Sequence, residues 1–302
     1  MTRHVLEIDD LDAAEIARVL DLAADPGRPP RLAGQTVGLY FEKPSLRTRH
    51  SCETAVVQLA GHPVTFRTEE VRGGGRELMS DIARVLSGYH AVLCGRVFDH
   101  GVLEELSASS SIPVVNLLSD SGHPCQSLAD LLTMRQEWGS VEGRTVAWIG
   151  DLNNVARSLD LAAARSGMRV RIASPPGFGP SAEDLERLAL AGLAEPPLVT
   201  SHPLEAVAGA DAVHTDVWAS MGQEDEADER RRAFEGFQVN DPLMAAAPAH
   251  AIFMHCLPAH RGEEVAASVL DGPQSRVFPQ AHNRLHSFRG LLRFLLEPEA
   301  GR

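Results

Sequence analysis

Three short segments of this sequence carry side chains with chemistry in them. The first is Phe41-Glu42-Lys43-Pro44-Ser45-Leu46-Arg47-Thr48-Arg49. It follows an apolar run, residues 34–41, that reads as a buried strand, and it leads into a helix over 48–60. Backbone N–H groups at a helix start favour an anion. Ser45 and Thr48 add hydroxyl donors, and Arg47 adds a planar fork that matches phosphate oxygens. A capped helix start with surface arginines explains the same residues equally well.

The second segment is His123-Pro124-Cys125-Gln126, at another strand-to-helix turn. Its histidine and glutamine can donate to a carbonyl oxygen and accept from an amide, although a histidine at a helix start is often only a cap. The third is Met254-His255-Cys256-Leu257-Pro258, which follows a strand. Cysteine beside histidine suggests a nucleophile with its base. Adjacent residues on an extended segment point to opposite faces, however, so His255 is badly placed to activate Cys256.

The elements that must position these segments alternate between strand and helix. Leu11, Ile16, Val19, Leu20 and Leu22 recur at helical spacing. Strand-like runs follow at 34–41, 91–94 and 113–117, with helical stretches at 80–88 and 102–106 between them and a helix over 126–138 after them. A second series of strands begins at Thr145 and continues through 169–173, 212–215 and 251–255; a last helix covers 284–296. Alternation of this kind predicts parallel βαβ units and an α/β fold. The polar, glycine-containing stretch 139–144 marks a boundary between two domains, residues 1–139 and 140–302.

Composition narrows the classes of function. A chain of 302 residues accommodates two domains of ordinary size. Hydrophobic residues at 44% and charged residues at 23% have the balance of a soluble globular protein, and no run approaches the ~20 apolar residues of a membrane span. Acidic residues near the N-terminus stand where a signal peptide needs its apolar stretch. The four cysteines are scattered, which speaks against a disulfide framework and for a reducing, cytoplasmic setting. A net charge of −13 argues against nucleic acid as partner. The basic run Arg230-Arg231-Arg232 follows an acidic run and reads as a solvated, mixed-charge surface element. An anionic substrate must therefore be held by a local group of arginines and not by the overall field.

Taken together, the segments resemble the aspartate/ornithine carbamoyltransferases, and within them the ornithine branch. Residues 41–49 match that family's F-E-K-x-S-T-R-T-R loop except at Leu46, and residues 123–126 are its H-P-x-Q motif. Gly150-Asp151-Leu152-Asn153-Asn154 matches G-D-x-N-N, and residues 216–222 match D-x-W-x-S-M-G. His255–Pro258 is H-C-L-P, and Ala281-His282-Asn283-Arg284 stands for A-E-N-R. The six motifs occur in family order across nearly the whole chain.

The resemblance implies an α/β fold of two domains, each a mainly parallel sheet flanked by helices. The C-terminal helix, 284–296, would pack back toward the first domain. Domain 1–139 would bind carbamoyl phosphate and domain 140–302 L-ornithine, yielding L-citrulline and phosphate for arginine biosynthesis. Ser45, Leu46, Arg47, Thr48, Arg96, His123, Gln126, Cys256, Leu257 and Arg284 match the carbamoyl phosphate residues, with Arg96, His123 and Cys256 catalytic. Asn154, Asp216, Ser220 and Met221 match the ornithine residues. Cys256 would position the amine or accept its proton; it would not be a nucleophile. No metal and no cofactor is implied, because the mixed anhydride is already activated. The family forms homotrimers or multiples of trimers, so a homotrimer is the expected assembly.

Leu46 stands where threonine is usual and removes a side-chain donor. His282 replaces a glutamate expected to orient Arg284. Residues 223–232 are placed like a lid. Two other readings stay open: a carbamoyltransferase for another amine, and a catalytically weakened binding protein. A dinucleotide-dependent oxidoreductase is disfavoured, since the turn after 145–149 lacks the glycines that let backbone approach a pyrophosphate.

Overall fold

The computed structural model of the chain describes residues 2–72, 77–219 and 224–297. They fall into two compact units, Met1–Leu132 with Asn283–Arg302, and Thr133–His282.

The first unit opens with α1 (Ala13–Ala24), started by a capping box in which Asp12 and Glu15 satisfy each other's backbone N–H groups. The fully buried run after Thr36 forms β1 (Thr36–Phe41) and Ser45 caps α2 (Leu46–Gln58). Next come β2 (His62–Arg67), α3 (Thr68–Arg72) and α4 (Met79–Ser87). Then follow β3 (Val92–Arg96), α5 (Gly101–Ser109), β4 (Val114–Leu118) and α6 (Pro124–Trp138). Proline at the first position of α6 loses no helical hydrogen bond there.

The sheet order is β2-β1-β3-β4, and every pairing is parallel. The chain starts in the middle of this sheet and winds outward both ways. Direction reverses between β1 and β3, so the loops after these two strands diverge and leave a crevice at their carboxyl ends. Strand β2 is absent from the periodicity of the sequence. It is an edge strand with no fully buried residue, and Pro63 interrupts its pattern.

The second unit begins with β5 (Thr145–Ile149), α7 (Asn154–Arg165), β6 (Arg169–Ala173), α8 (Ala182–Leu190) and β7 (Leu198–Thr200). It continues with α9 (Pro203–Val207), β8 (Ala212–Thr215), α10 (Ala227–Ala233), α11 (Asp241–Ala246), β9 (Ile252–His255) and α12 (Ala267–Leu270). Its parallel sheet has the order β7-β6-β5-β8-β9. Here the reversal lies between β5 and β8. The core beneath it gathers Ile149, Phe234, Phe253 and Val265.

The last helix, α13 (Val277–Leu295), starts well before the expected position 284. Pro279 falls in its first turn, where the missing N–H costs nothing. The stretch of α13 beyond residue 282 belongs to the first unit and lies on α1. Gly290 makes this approach possible, since a Cβ there would sit 2.6 Å from the Val19 carbonyl oxygen. Arg289 donates to the Ala23 and Asp25 carbonyls, and Arg293 donates to those of Leu22 and Gly27. These bonds satisfy carbonyls that the end of α1 leaves without intrahelical donors.

Helix α7 carries a liability. Asp160 is 1% exposed and, among the described residues, neither carboxylate oxygen has a hydrogen-bond partner. Burial, then the charge of Asp184, raises its pKa well above the ordinary range. The folded carboxyl thus holds its proton more tightly than the unfolded one, which titrates near ~3.9. The stability of the protonated form is fully present below that value and is lost as pH rises toward the folded pKa. Asp160→Asn should therefore be more stable than the parent at pH ~8, by about 1–3 kcal/mol. The gain should vanish near pH ~4, where the unfolded carboxyl is itself half protonated. Urea midpoints at the two pH values test this; a constant gap would show that Asp160 does not titrate in this way.

Candidate active site

In the first unit, α2 begins just past the carboxyl end of β1. Ser45 Oγ accepts the N–H of Thr48 at 3.3 Å and so holds the start of the helix. N–H groups in a first turn have no intrahelical acceptor and point out of the helix end. Arg96 is the last residue of β3, across the reversal point. Its guanidinium donates to Thr48 Oγ1 at 3.4 Å, and Arg284 from α13 donates to the same oxygen at 3.2 Å. Arg284 also donates to Gln126 Oε1 at 2.6 Å, and Gln126 Nε2 donates to Asp130 Oδ1 at 2.8 Å. Arg96 and Arg284 are 7% and 6% exposed. Among the described residues no carboxylate accepts from Arg284, whose bonds go to neutral oxygens. Two buried cations therefore converge on one hydroxyl, an arrangement that favours an anion.

His123 lies at the start of α6, 4% exposed. Burial, then the charges of Arg284 and Arg96, holds its pKa well below the ordinary histidine range. The ring is neutral near pH ~7 and donates from one nitrogen only. Its neighbour Cys125 is inert. Its Sγ donates to the Asn116 carbonyl at 3.4 Å, and burial pushes its pKa up to about 12.

In the second unit the loops after β5 and β8 flank the reversal point. Gly150 takes φ +135°, a region that favours glycine, and turns the chain out of β5. Asn153 caps α7, accepting from Val155 N at 2.9 Å and Ala156 N at 3.0 Å. Its Nδ2 donates to Asp216 Oδ2 at 2.9 Å. Cys256 Sγ, after β9, donates to Asp216 Oδ1 at 3.1 Å. Asp216 is 8% exposed, so its charge sits in a region of low dielectric.

Behind Cys256 runs a buried polar chain. Leu257, at φ +60°, donates its N–H to His255 Nδ1 at 2.9 Å. The proton of the neutral ring is therefore on Nε2, which faces Glu264 Oε1 at 3.3 Å with both groups fully buried. Gln280 Oε1 accepts the His255 N–H at 2.9 Å, and its Nε2 lies 3.0 Å from His214 Nε2. Ligand atoms of Asp216, His255 and Cys256 lie within 4.8 Å of one another. With one His255 nitrogen accepting a backbone N–H and the other carrying the proton, the ring has no lone pair left for a metal.

Known proteins share this chain's sequence and fold over its full length. Residues 3–136 match the carbamoyl-P binding domain of aspartate/ornithine carbamoyltransferase, and residues 142–295 match the Asp/Orn binding domain. The chain belongs to the aspartate/ornithine carbamoyltransferase family. It is 48% identical to the ornithine carbamoyltransferase of Acidothermus cellulolyticus, covering 100% of this chain and 99% of that one. It is 47% identical to that of Haloquadratum walsbyi, covering 97% of each. The ornithine carbamoyltransferase structure from Pyrococcus furiosus superposes with a TM-score of 0.91 at 41% identity, over 97% of this chain and 96% of that one. The Thermus thermophilus structure gives 0.89 at 40%, over 98% and 100%. The enzyme is thus a carbamoyltransferase.

Its structure gathers Thr48, Arg96, Gln126 and Arg284 into one hydrogen-bonded group, with His123 close enough to feel both arginines. Leu46 is the first residue of α2 and 71% exposed, so its side chain lies in the open. His282, which stands for the family glutamate, is exposed, and Arg284 is held by Gln126 and Thr48. Asp216 and Cys256 meet, and Leu257 follows them. Asn154 is the first residue of α7. Ser220 and Met221 lie outside the described residues, as does Gln223 at the start of the expected lid.

Arg230 corrects the reading of a solvated basic run, for it is 8% exposed. It donates to Asp151 Oδ2 at 2.8 Å and the Trp218 carbonyl at 2.9 Å, and it lies over the Phe178 ring. Its ties join α10 to the loops after β5 and β8. Arg230→Ala should cost about 1.5–3 kcal/mol for the lost charged hydrogen bonds, visible in a denaturant midpoint. The Michaelis constant for the acceptor should rise more than that for the donor.

Several structural partners received no role in the sequence reading. Asp130 stands four residues from Gln126 on one helix face, a spacing that offers a signal. Asn153, quoted only as part of a motif, had one too, as an asparagine just before a helix. Glu264 and Gln280 had none, because their partner His255 is remote in sequence.

Proposed function

We propose that the enzyme transfers the carbamoyl group of carbamoyl phosphate to the side-chain amine of L-ornithine, giving L-citrulline and phosphate. The observation that carries this reading is the convergence of buried Arg96 and Arg284 on Thr48 Oγ1, with Arg284 bonded, among the described residues, only to neutral oxygens. That cluster suits a dianion, which would also meet Arg47 and the N–H groups of Ser45, Leu46 and Arg47 at the start of α2. Residues 1–139, with the C-terminal helix 284–296 crossing back to them, would take the donor, and the rest of 140–302 the acceptor.

In this reading Arg96, Thr48 and neutral His123 donate to the carbonyl oxygen. They stabilise the negative charge that grows there on attack, and one such donor is worth about 3–4 kcal/mol. Gln126 and the Leu257 carbonyl hold the carbamoyl NH2. Asp216 attracts the acceptor's side-chain nitrogen, with Asn153 and Cys256 fixing the orientation of its carboxylate. Asn154, Ser220 and Met221 hold the amino-acid end. An alkyl amine titrates near ~10.4, so the neutral form that attacks is a minor one in water. Cys256 positions it, or passes its own proton to Asp216 and accepts the amine's.

A cytoplasmic homotrimer serving arginine biosynthesis fits this reading. A steady-state assay of purified protein with carbamoyl phosphate and a panel of amines tests it. Ornithine should give the highest kcat/KM. Faster carbamoylation of another amine would replace ornithine, and donor binding without turnover would make the chain a binding protein.

A further inference from the structure

Lys43 is the only lysine among 28 lysines and arginines in the chain. The rest of the 28 are arginines, whose guanidinium stays protonated near neutral pH and does not attack carbonyl carbon. The chain therefore offers one side-chain alkyl amine, two residues before Ser45. That amine is half-buried, with Nζ 4.2 Å from the centroid of the Phe98 ring. Among the described residues it makes no hydrogen bond and no ion pair. The adjacent Glu42 turns its two oxygens elsewhere, accepting the Tyr40 hydroxyl at 2.9 Å and the Phe98 N–H at 2.8 Å. Burial first, then the charge of Arg96, lowers the Lys43 pKa; Asp120 and Glu42 pull weakly the other way. An amine of this kind, lying over Phe98 just past the Arg96 end of β3, is a competing nucleophile for an activated carbonyl held by that cluster.

We infer that Lys43 is a modification site, carbamoylated by the enzyme's own carbamoyl phosphate when no acceptor amine is bound. The inference rests on the first-unit cluster being the donor site. The neutral Nζ attacks the carbonyl carbon and a C–N bond forms. The bond from that carbon to the phosphate oxygen breaks, phosphate leaves with the electron pair, and one Nζ proton passes to it. The product is a neutral urea at residue 43, a planar group that can lie on Phe98. Loss of the positive charge beside Arg96 weakens the hold on the donor, so modification limits itself.

The test uses the full-length protein incubated with carbamoyl phosphate, with and without ornithine, followed by peptide mass spectrometry and by assay of citrulline formation. Parallel arms replace the donor by cyanate, at the concentration that carbamoyl phosphate releases on decay, or add inorganic phosphate as competitor. One carbamoyl group should appear on Lys43, about tenfold faster with the donor than with matched cyanate, because binding places it beside the amine. Phosphate and ornithine should each suppress it. The KM for carbamoyl phosphate should rise several-fold in the treated parent and not in treated Lys43→Arg. The inference fails if Lys43 reacts no faster than the N-terminal amine, if cyanate serves equally, or if phosphate gives no protection. Citrulline formation with an unmodified Lys43 overturns this inference alone; absence of both citrulline formation and donor binding overturns the functional reading with it.

Discussion

Arg284→Met should lower kcat/KM for carbamoyl phosphate about a thousandfold while leaving the ligand-free protein no less stable. The two halves of this result come from one fact. Arg284 is 6% exposed and bonds only to Gln126 Oε1 and Thr48 Oγ1, so its charge is desolvated without an opposite charge among the described residues. A buried cation of this kind costs stability, and an apolar side chain of similar volume removes that cost. Its return comes when a dianion binds. Removing one partner of a desolvated charge pair costs about 2–5 kcal/mol in the complex. Thermal unfolding gives a second readout. Phosphate at about a hundred times its dissociation constant stabilises a protein by about 2.7 kcal/mol, an effect the variant should largely lose. A variant that binds phosphate like the parent, or that unfolds before assay, would refute this account.

Asp216→Asn should do the converse, reducing kcat/KM for ornithine about a hundredfold or more with little change in the KM for carbamoyl phosphate. The side chain keeps its size. What changes is charge and acceptor capacity. One oxygen of Asp216 accepts from Asn153 and the other from Cys256. An amide presents an NH2 to one of these donors, which leaves a buried donor facing another and costs about 1–3 kcal/mol. The lost attraction for the acceptor's nitrogen adds to it. Kinetics with each substrate varied in turn, on both variants, decides the matter. Equal effects of Arg284→Met and Asp216→Asn on both substrates would end the division of labour between the two groups of residues.

How far the sequence foretold this site depends on the distance over which its parts act. The start of α2 was legible because Ser45, Arg47 and Thr48 sit in one turn after an apolar run. Strand geometry predicted that His255 and Cys256 point apart; the structure turns one to Glu264 and the other to Asp216, yet their ligand atoms stay within 4.8 Å because Cys256 lies past the end of β9. Sheet order was not legible, since an apolar run does not say which neighbour it will pair with. Yet sheet order sets the two reversal points, and so decides that the loops after β1 and β3, and those after β5 and β8, carry the residues of the proposed site. Arg96 had no local signal; only the family resemblance singled it out. The bond between Arg284 and Gln126 joins residues far apart in the chain, and nothing in either segment predicts it.

The first unit is discontinuous: α13 supplies Arg284, Arg289, Gly290 and Arg293 only after all of the second unit has been made. A ribosome emits residues in order, and domains generally fold as they emerge. Here the earliest segment to appear is among the last to be completed. Through most of translation the end of α1 lacks the side chains that satisfy its carbonyls, and the anion cluster lacks one of its two buried arginines. A nascent chain stalled before residue 283 thus lacks one arginine of the cluster on Thr48, and, if that cluster holds the donor as proposed, competence for it arrives only in the closing moments of synthesis.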